Sequence, residues 1–221
     1  ALCVDRNTGK ILRNIRLFSE QEPQWVHELN SYASPTPVLE SGRAYFHFGT
    51  FGTACLDTRS GKILWTNTSL HIMHENGPGS SPILWKDRLI FHLDGSDSQS
   101  IVALDTATGL LAWQTPRSGE LADNPQLKKS YATPAIIKLG GRDQLISQGA
   151  DWLYGYDPAS GRDEVGDVFI ADGKIVQGGG TPDRTVDAKG LVVAPGLIDL
   201  AARLREPGHE HKATLESEMD A

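Results

Sequence analysis

Two histidines three residues apart, with a glutamate after them, stand at His71-Ile72-Met73-His74-Glu75. Imidazole and carboxylate are zinc ligands, but the hydrolytic pattern is His-Glu-x-x-His on a helix, where residues four apart share one face. This segment runs instead into Gly77-Pro78-Gly79, so it reads as a solvated loop between strands. Asp94-Gly95-Ser96-Asp97-Ser98 has the oxygen donors of a calcium loop but lacks the closing Glu, and a plain turn is expected. Gly178-Gly179-Gly180 lacks the strand before and the helix after that would aim backbone amides at a phosphate. His209-Glu210-His211 is read as solvated, and His27, His47 and His92 as ordinary hydrogen-bonded side chains. On this reading no catalytic, cofactor-binding or metal-binding residue is assigned.

The elements that would carry these residues are set by a repeat. Leu56-Asp57-Thr58-Arg59-Ser60-Gly61-Lys62-Ile63-Leu64-Trp65 returns as Leu104-Asp105-Thr106-Ala107-Thr108-Gly109-Leu110-Leu111-Ala112-Trp113. A third copy is Val4-Asp5-Arg6-Asn7-Thr8-Gly9 and a fourth Tyr156-Asp157-Pro158-Ala159-Ser160-Gly161, so the glycines fall at 9, 61, 109 and 161. Strand-like runs around Asp-x-x-(Thr/Ser)-Gly make a β-hairpin: the carboxylate accepts from turn amides, and Gly takes positive φ. Recurrence at about fifty residues points to propeller blades. Trp65 and Trp113 are large enough to cover the seam between neighbouring blades, and Arg13 replaces the tryptophan in the first copy.

A second phrase, Thr36-Pro37-Val38-Leu39, is echoed by Ser81-Pro82-Ile83-Leu84 and Thr133-Pro134-Ala135-Ile136. Proline at the head of a strand is tolerated because no ladder donor is needed there. Each phrase opens a unit of four short antiparallel strands: 33–69 and 78–117 are complete, and 131–161 supplies three strands. Where a fourth strand is due, the text reads Arg162-Asp163-Glu164-Val165 and changes character. A tight hairpin around Asp172-Gly173 follows, then a buried strand ending near Leu200, then a charged stretch with a helix starting near Thr214. The expected class is all-β: an incomplete propeller of about three blades over 1–161, then a smaller β-rich segment over 162–221.

Composition is that of an ordinary globular chain, 39% hydrophobic and 22% charged. A formal net charge of −7 argues against a nucleic-acid backbone or an anionic membrane surface as the main partner. No run of eighteen apolar residues suggests a membrane span. The chain begins inside a repeat copy and shows no signal peptide. Cys3 and Cys55 occupy equivalent strand positions two residues before the repeat Asp. They are expected to be small buried residues of adjacent blades, too far apart for a disulfide. An arc with open blade edges favours association and marginal stability.

The phrases at 54–65 and 102–113, with those at 31–38 and 77–84, resemble the pyrroloquinoline-quinone-type β-propeller repeat proteins, which include outer-membrane assembly propellers. That resemblance implies a ring of seven or eight blades in the whole protein and an exported location. The quinone-dependent dehydrogenases of the group use adjacent cysteines, which this sequence lacks; the non-enzymatic branch, with a protein partner on the propeller surface, fits better.

Residues 157–221 are similar to the amino-terminal end of dihydroorotase-type amidohydrolases through Asp157 to Val176, Val186 to Leu200 and Leu204 to Ala221. That resemblance implies a cytoplasmic barrel enzyme in which Asp-Leu is followed by His-x-His-x-Arg, the histidines binding metal. Here Asp199-Leu200 is followed by Ala201, Ala202, Arg203, Leu204 and Arg205, so Ala201 and Arg203 replace the ligands and only Arg205 matches. A methyl group cannot ligate and a guanidinium repels a divalent cation, so an inactive stub without cofactor is expected. The two texts overlap at Asp157–Gly161, as in a chimera joined within a shared phrase by recombination or by sequence misassembly. The alternative is a fragment of an enzyme, either a quinone-dependent dehydrogenase or a metal-dependent cyclic amidase.

Overall fold

The structure, a computed structural model, describes residues 1–139, 141–163, 169–171, 174–176 and 183–186. Its local unit is the hairpin turn. Asp57 Oδ1 accepts from the backbone N–H of Arg59 (3.1 Å), the N–H of Ser60 (2.6 Å) and the Ser60 hydroxyl (2.7 Å). Asp5, Asp105 and Asp157 make the same three bonds in their own turns. The N–H of each closing glycine donates to the Asp carbonyl, at 2.8 to 2.9 Å. One side chain thus satisfies the donors that the reversal frees, which is why this short phrase forms a turn wherever it is written.

Strands β1 (Leu2–Val4) and β2 (Ile11–Asn14) flank the first turn as a two-stranded sheet. The first full blade orders β3 (Val38–Glu40), β4 (Arg43–His47), β5 (Thr53–Asp57) and β6 (Ile63–Asn67) side by side, all antiparallel. The second repeats this with β7 (Ile83–Trp85), β8 (Arg88–Asp94), β9 (Gln99–Asp105) and β10 (Leu111–Pro116). The third has β11 (Ala135–Leu139), β12 (Arg142–Gln148) and β13 (Leu153–Tyr156). Pro37, Pro82 and Pro134 each stand immediately before the first strand of a blade.

The second blade is buried on both faces. Leu89, Phe91, Leu93, Val102 and Leu104 pack against Tyr45, Cys55 and Trp65 of the first blade. Ile90, Ile101 and Ala103 pack against Leu145, Tyr154 and Tyr156 of the third. Side chains alternate between faces, so the unbroken apolar run Leu89-Ile90-Phe91 is what a strand needs when a neighbour covers each side.

The blades are latched at the turns. Trp65 Nε1 donates to the Thr106 carbonyl at 2.9 Å, and Trp113 Nε1 to the Pro158 carbonyl at 3.3 Å. Two residues on, Asn67 Nδ2 and Thr115 Oγ1 reach the carbonyls of Gly109 and Gly161, both at 2.7 Å. Arg13 does the tryptophan's work in the first hairpin: Nη1 donates to the Thr58 carbonyl at 3.1 Å and Nη2 to that of Arg59. In all three hairpins the register skips the residue before the latch, a bulge that re-aims the latch side chain.

A Cβ on Gly109, at φ +72°, would stand 2.3 Å from Trp65, whereas one on Gly9, at φ +70°, would meet nothing within 4 Å. Gly9→Ala is expected to cost about 1 kcal/mol for the left-handed backbone alone. Gly109→Ala is expected to cost roughly 3 kcal/mol, because the indole must also move out of its seat. Urea unfolding of both variants measures the difference, and equal costs would refute the latch.

Two expectations change here. Cys3 is exposed, not buried, while Cys55 is buried; both thiols are free. Cys55 lies on β5 between two neighbouring strands, whereas Cys3 lies on β1, which among the described residues pairs only with β2. The fourth strand of the third blade is also begun. Asp163 bridges Tyr156 at the seven-residue offset of the Leu56–Ile63 and Leu104–Leu111 pairs. Beyond it, β14 (Phe169–Ala171) pairs with β15 (Lys174–Val176) in a separate two-stranded sheet. These strands flank the expected hairpin, whose Asp172 and Gly173 lie outside the described residues.

Candidate functional site

Among the described residues, a group of titratable side chains meets in a buried place at the seam between the second and third blades. Asp94 ends β8, Arg117 follows β10, and Ser147 and Tyr156 come from β12 and β13. Arg117 Nε and Nη2 donate to the two Asp94 oxygens at 3.0 and 2.9 Å, with both side chains almost fully buried. Nη1 donates to Ser147 Oγ at 2.6 Å and to the Tyr156 hydroxyl at 3.4 Å, and the guanidinium lies 4.8 Å from the centre of the Tyr154 ring. Burial pushes the Asp94 carboxyl above its ordinary range. Burial also pulls on Arg117, but pairing with Asp94 outweighs it and leaves the guanidinium raised and charged.

His92 completes the group. Ser147 Oγ, which accepts from Arg117, also lies 2.8 Å from His92 Nε2, with the donor of that bond set by the ring tautomer. Nδ1 is buried and has no hydrogen-bond partner among the described residues. Burial, aided by the Arg117 charge, lowers the His92 pKa to about 3. A serine bonded to a histidine has the pairing of a nucleophile and its base. Here Ser147 is fully buried and the histidine is a very weak base, so the group clamps two blades together.

The segment 71–75 is not the solvated loop expected from its polarity. Ile72 and His74 are buried, while His71 and Met73 are exposed. The Thr50 N–H donates to His74 Nε2 at 2.8 Å, and Gln24 holds the strap by bonding the Ile72 carbonyl (3.0 Å) and the His74 N–H (3.0 Å). The strap turns inward because it covers the 3-10 turn at Gly49–Phe51 and supplies the acceptor that the Thr50 amide needs. Glu75 pairs with the buried Lys129 at 2.7 Å. His47 is also buried, bonded through Nδ1 to Thr53 Oγ1 at 2.9 Å. Residues 94–98 form a turn: Asp94 is committed to Arg117, and Asp97 Oδ1 accepts from the Met73 N–H at 2.8 Å. Among the described residues, no three His, Cys, Asp or Glu side chains converge as metal ligands. Gly178–Gly180, Asp199, Ala201, Arg203, Arg205, His209, His211 and Thr214 lie outside the described residues.

The open feature is at the loop end of the blades, away from the tight turns. A cleft of about 430 Å³ is lined by His27, Leu29, Asn30, Asn76, Gly79 and Tyr131. Asn30 Nδ2 fixes one wall to the other through the carbonyls of Asn76 (2.7 Å) and Pro78 (3.2 Å). The third blade closes it, with Asn76 Nδ2 donating to the Tyr131 hydroxyl at 3.2 Å. Trp25 stands beside it, 62% exposed and edge-on to His27, and Leu29 is 89% exposed. Sequence reasoning found neither this cleft nor Arg117, since the residues involved lie dozens of positions apart. Trp25 within a polar crossing loop was the available signal.

A protein family described as outer membrane protein assembly factor BamB matches residues 2–177. A dihydroorotase-like protein of Pseudomonas aeruginosa is 51% identical over 70 residues, which is 29% of this chain and 16% of that protein. A dihydroorotase of Solibacter usitatus is 51% identical over 67 residues, 28% of this chain and 15% of that protein. The chain therefore spans about one sixth of the length of these curated relatives. Among solved structures, BamB from Moraxella catarrhalis aligns with a TM-score of 0.40 and 18% identity, over 59% of this chain and 36% of that one. No helix among the described residues is long and apolar enough to cross a membrane.

Proposed function

The chain belongs to the family of outer membrane protein assembly factor BamB, and from that premise we propose that it is a non-catalytic, protein-binding segment of a β-propeller. Fused to it is a dihydroorotase-like segment, which we read as inactive. One contrast carries the proposal. The buried Asp94, Arg117 and His92 are taken up in hydrogen bonds that reach Ser147 and Tyr156 across the blade seam, while an aromatic cleft stands open at the loop end. Surfaces of that kind recognise polypeptide.

In the second segment, Ala201 and Arg203 stand where the resemblance puts metal-binding histidines. Without such ligands a metal-activated water has no seat. Purified chain is expected to show no quinone chromophore by absorption spectroscopy and no zinc-dependent turnover of dihydroorotate. Stoichiometric quinone, or turnover with zinc, would make it a fragment of an enzyme and end this reading. We also propose that the two parts were joined within Asp157–Gly161, by recombination or by misassembly of sequence. An uninterrupted read of intact source DNA across codons 140–180, continuing into full genes on both sides, would rule out misassembly.

A further inference from the structure

We propose that the loop-end cleft binds an extended peptide segment of another protein, one that presents an aliphatic or aromatic residue flanked by lysine or arginine. This rests on the protein-binding reading and adds where the partner sits and what chemistry it brings. The apolar part of the argument is exposure. Trp25 is 62%, Leu29 89% and Tyr131 42% exposed, around a cleft whose walls are tied together by the Asn30 and Asn76 amides. A large apolar surface on a pre-tied frame loses little entropy on binding.

The polar part follows from which donors are already used. His27 Nδ1 accepts the Leu29 N–H at 3.1 Å, which places the proton of the neutral ring on Nε2. The Tyr131 hydroxyl accepts from Asn76, which leaves its own proton free. Two side-chain donors therefore remain for the carbonyls of an extended backbone.

Charge selects the flanking residues. The crossing segments 17–37, 68–82 and 118–134 carry six carboxylates and two lysines. One of those lysines, Lys129, is buried against Glu75. Residues 17–37, which supply Trp25 and Leu29, hold Glu20, Glu22 and Glu28 with no lysine or arginine at all. The opposite end is different: its turns mix Arg59, Lys62, Lys86 and Arg142 with their carboxylates. A cationic partner is thus steered to the cleft end.

The test is fluorescence anisotropy of a labelled synthetic peptide alternating lysine with leucine and phenylalanine, titrated with the full chain. Binding is expected to weaken with salt and to fall at least about tenfold in Trp25→Ala/Leu29→Ala, as for interface hot spots. It is expected to fall in Glu28→Lys as well. The exposed control pair Leu64→Ala/Leu110→Ala, at the turn end, should bind as the parent does. Both pairs remove exposed side chains, so unchanged melting curves confirm that each variant is folded. Equal binding of a peptide with glutamate for lysine would overturn the proposal. So would self-association that Trp25→Ala abolishes in sizing chromatography, since the occupant would then be a second copy. Binding lost only in the control pair would overturn the cleft and leave the protein-binding reading standing; binding to nothing would overturn both.

Discussion

Replacing Arg117 by methionine is expected to destabilise the chain by about 3–5 kcal/mol, because it strands a buried carboxylate. Asp94 is nearly fully buried, and the guanidinium supplies both of its charged hydrogen bonds. Methionine fills much of the stem volume, so the loss is electrostatic more than a cavity effect. Burial already pushes the Asp94 carboxyl upward. Without its partner it must take a proton or unfold the seam. Ser147 and Tyr156 lose their donor in the same step. For a chain of this size the fall in Tm is roughly 10 °C. Arg117→Lys should recover little, since one ammonium cannot bond both oxygens, Ser147 and Tyr156 together. Asp94→Leu with Arg117→Met should recover much of the loss, because an apolar pair carries no desolvation cost. If the single Arg117→Met variant melts with the parent, the seam is not held by this pair.

The contrast between this pair and the repeat turns shows what sequence can convey. The turns were legible because the chemistry is local: Asp, hydroxyl and glycine lie within five residues, and each of the four copies makes the same bonds. The tryptophan latches were legible too, since position within a period assigns a role. Arg13 shows the limit. Its place was known, but that a guanidinium reaches the same carbonyl as an indole N–H depends on the geometry across the seam. Asp94 ends β8 and Arg117 follows β10, 23 positions apart, with no periodic mark. His74 misled because polarity was read as solvation, while the unpaired Thr50 amide called for an acceptor. Cys3 misled for a related reason: equivalence by register does not supply the second neighbouring strand. In the cleft, residues 25–30, 76–79 and 131 meet only once the blades have stacked.

Acid should begin to destabilise this chain well above the range in which its carboxylates titrate. Burial lowers the pKa of His47 to about 3, with the His74 charge as a second cause. It lowers His92 to about 3 and His74 to about 4, where Asp97 pulls the other way. In the unfolded chain all three titrate near the ordinary value of about 6.5. Between that value and about pH 4 the unfolded state therefore binds up to three more protons than the folded one, and stability falls as pH falls. Each group contributes a slope of about 1.4 kcal/mol per pH unit, so together they approach 4 kcal/mol per unit. A domain at the lower end of the ordinary 5–15 kcal/mol of stability would lose it within about two units below pH 6.5. Asp94, raised in the fold, offsets part of this at the acid end. The turn carboxylates Asp5, Asp57 and Asp105, lowered by bonds to their own turns, lose their contribution only below their ordinary pKa. Urea unfolding across pH 7.5 to 4.5 should show the slope, and His47→Gln or His92→Gln should each reduce it by about a third. The variants lose some stability at neutral pH, but the slope is read independently of that loss. Stability that stays flat down to pH 5 would mean that these rings are not buried neutral, and the packing of both blade seams would have to be redrawn.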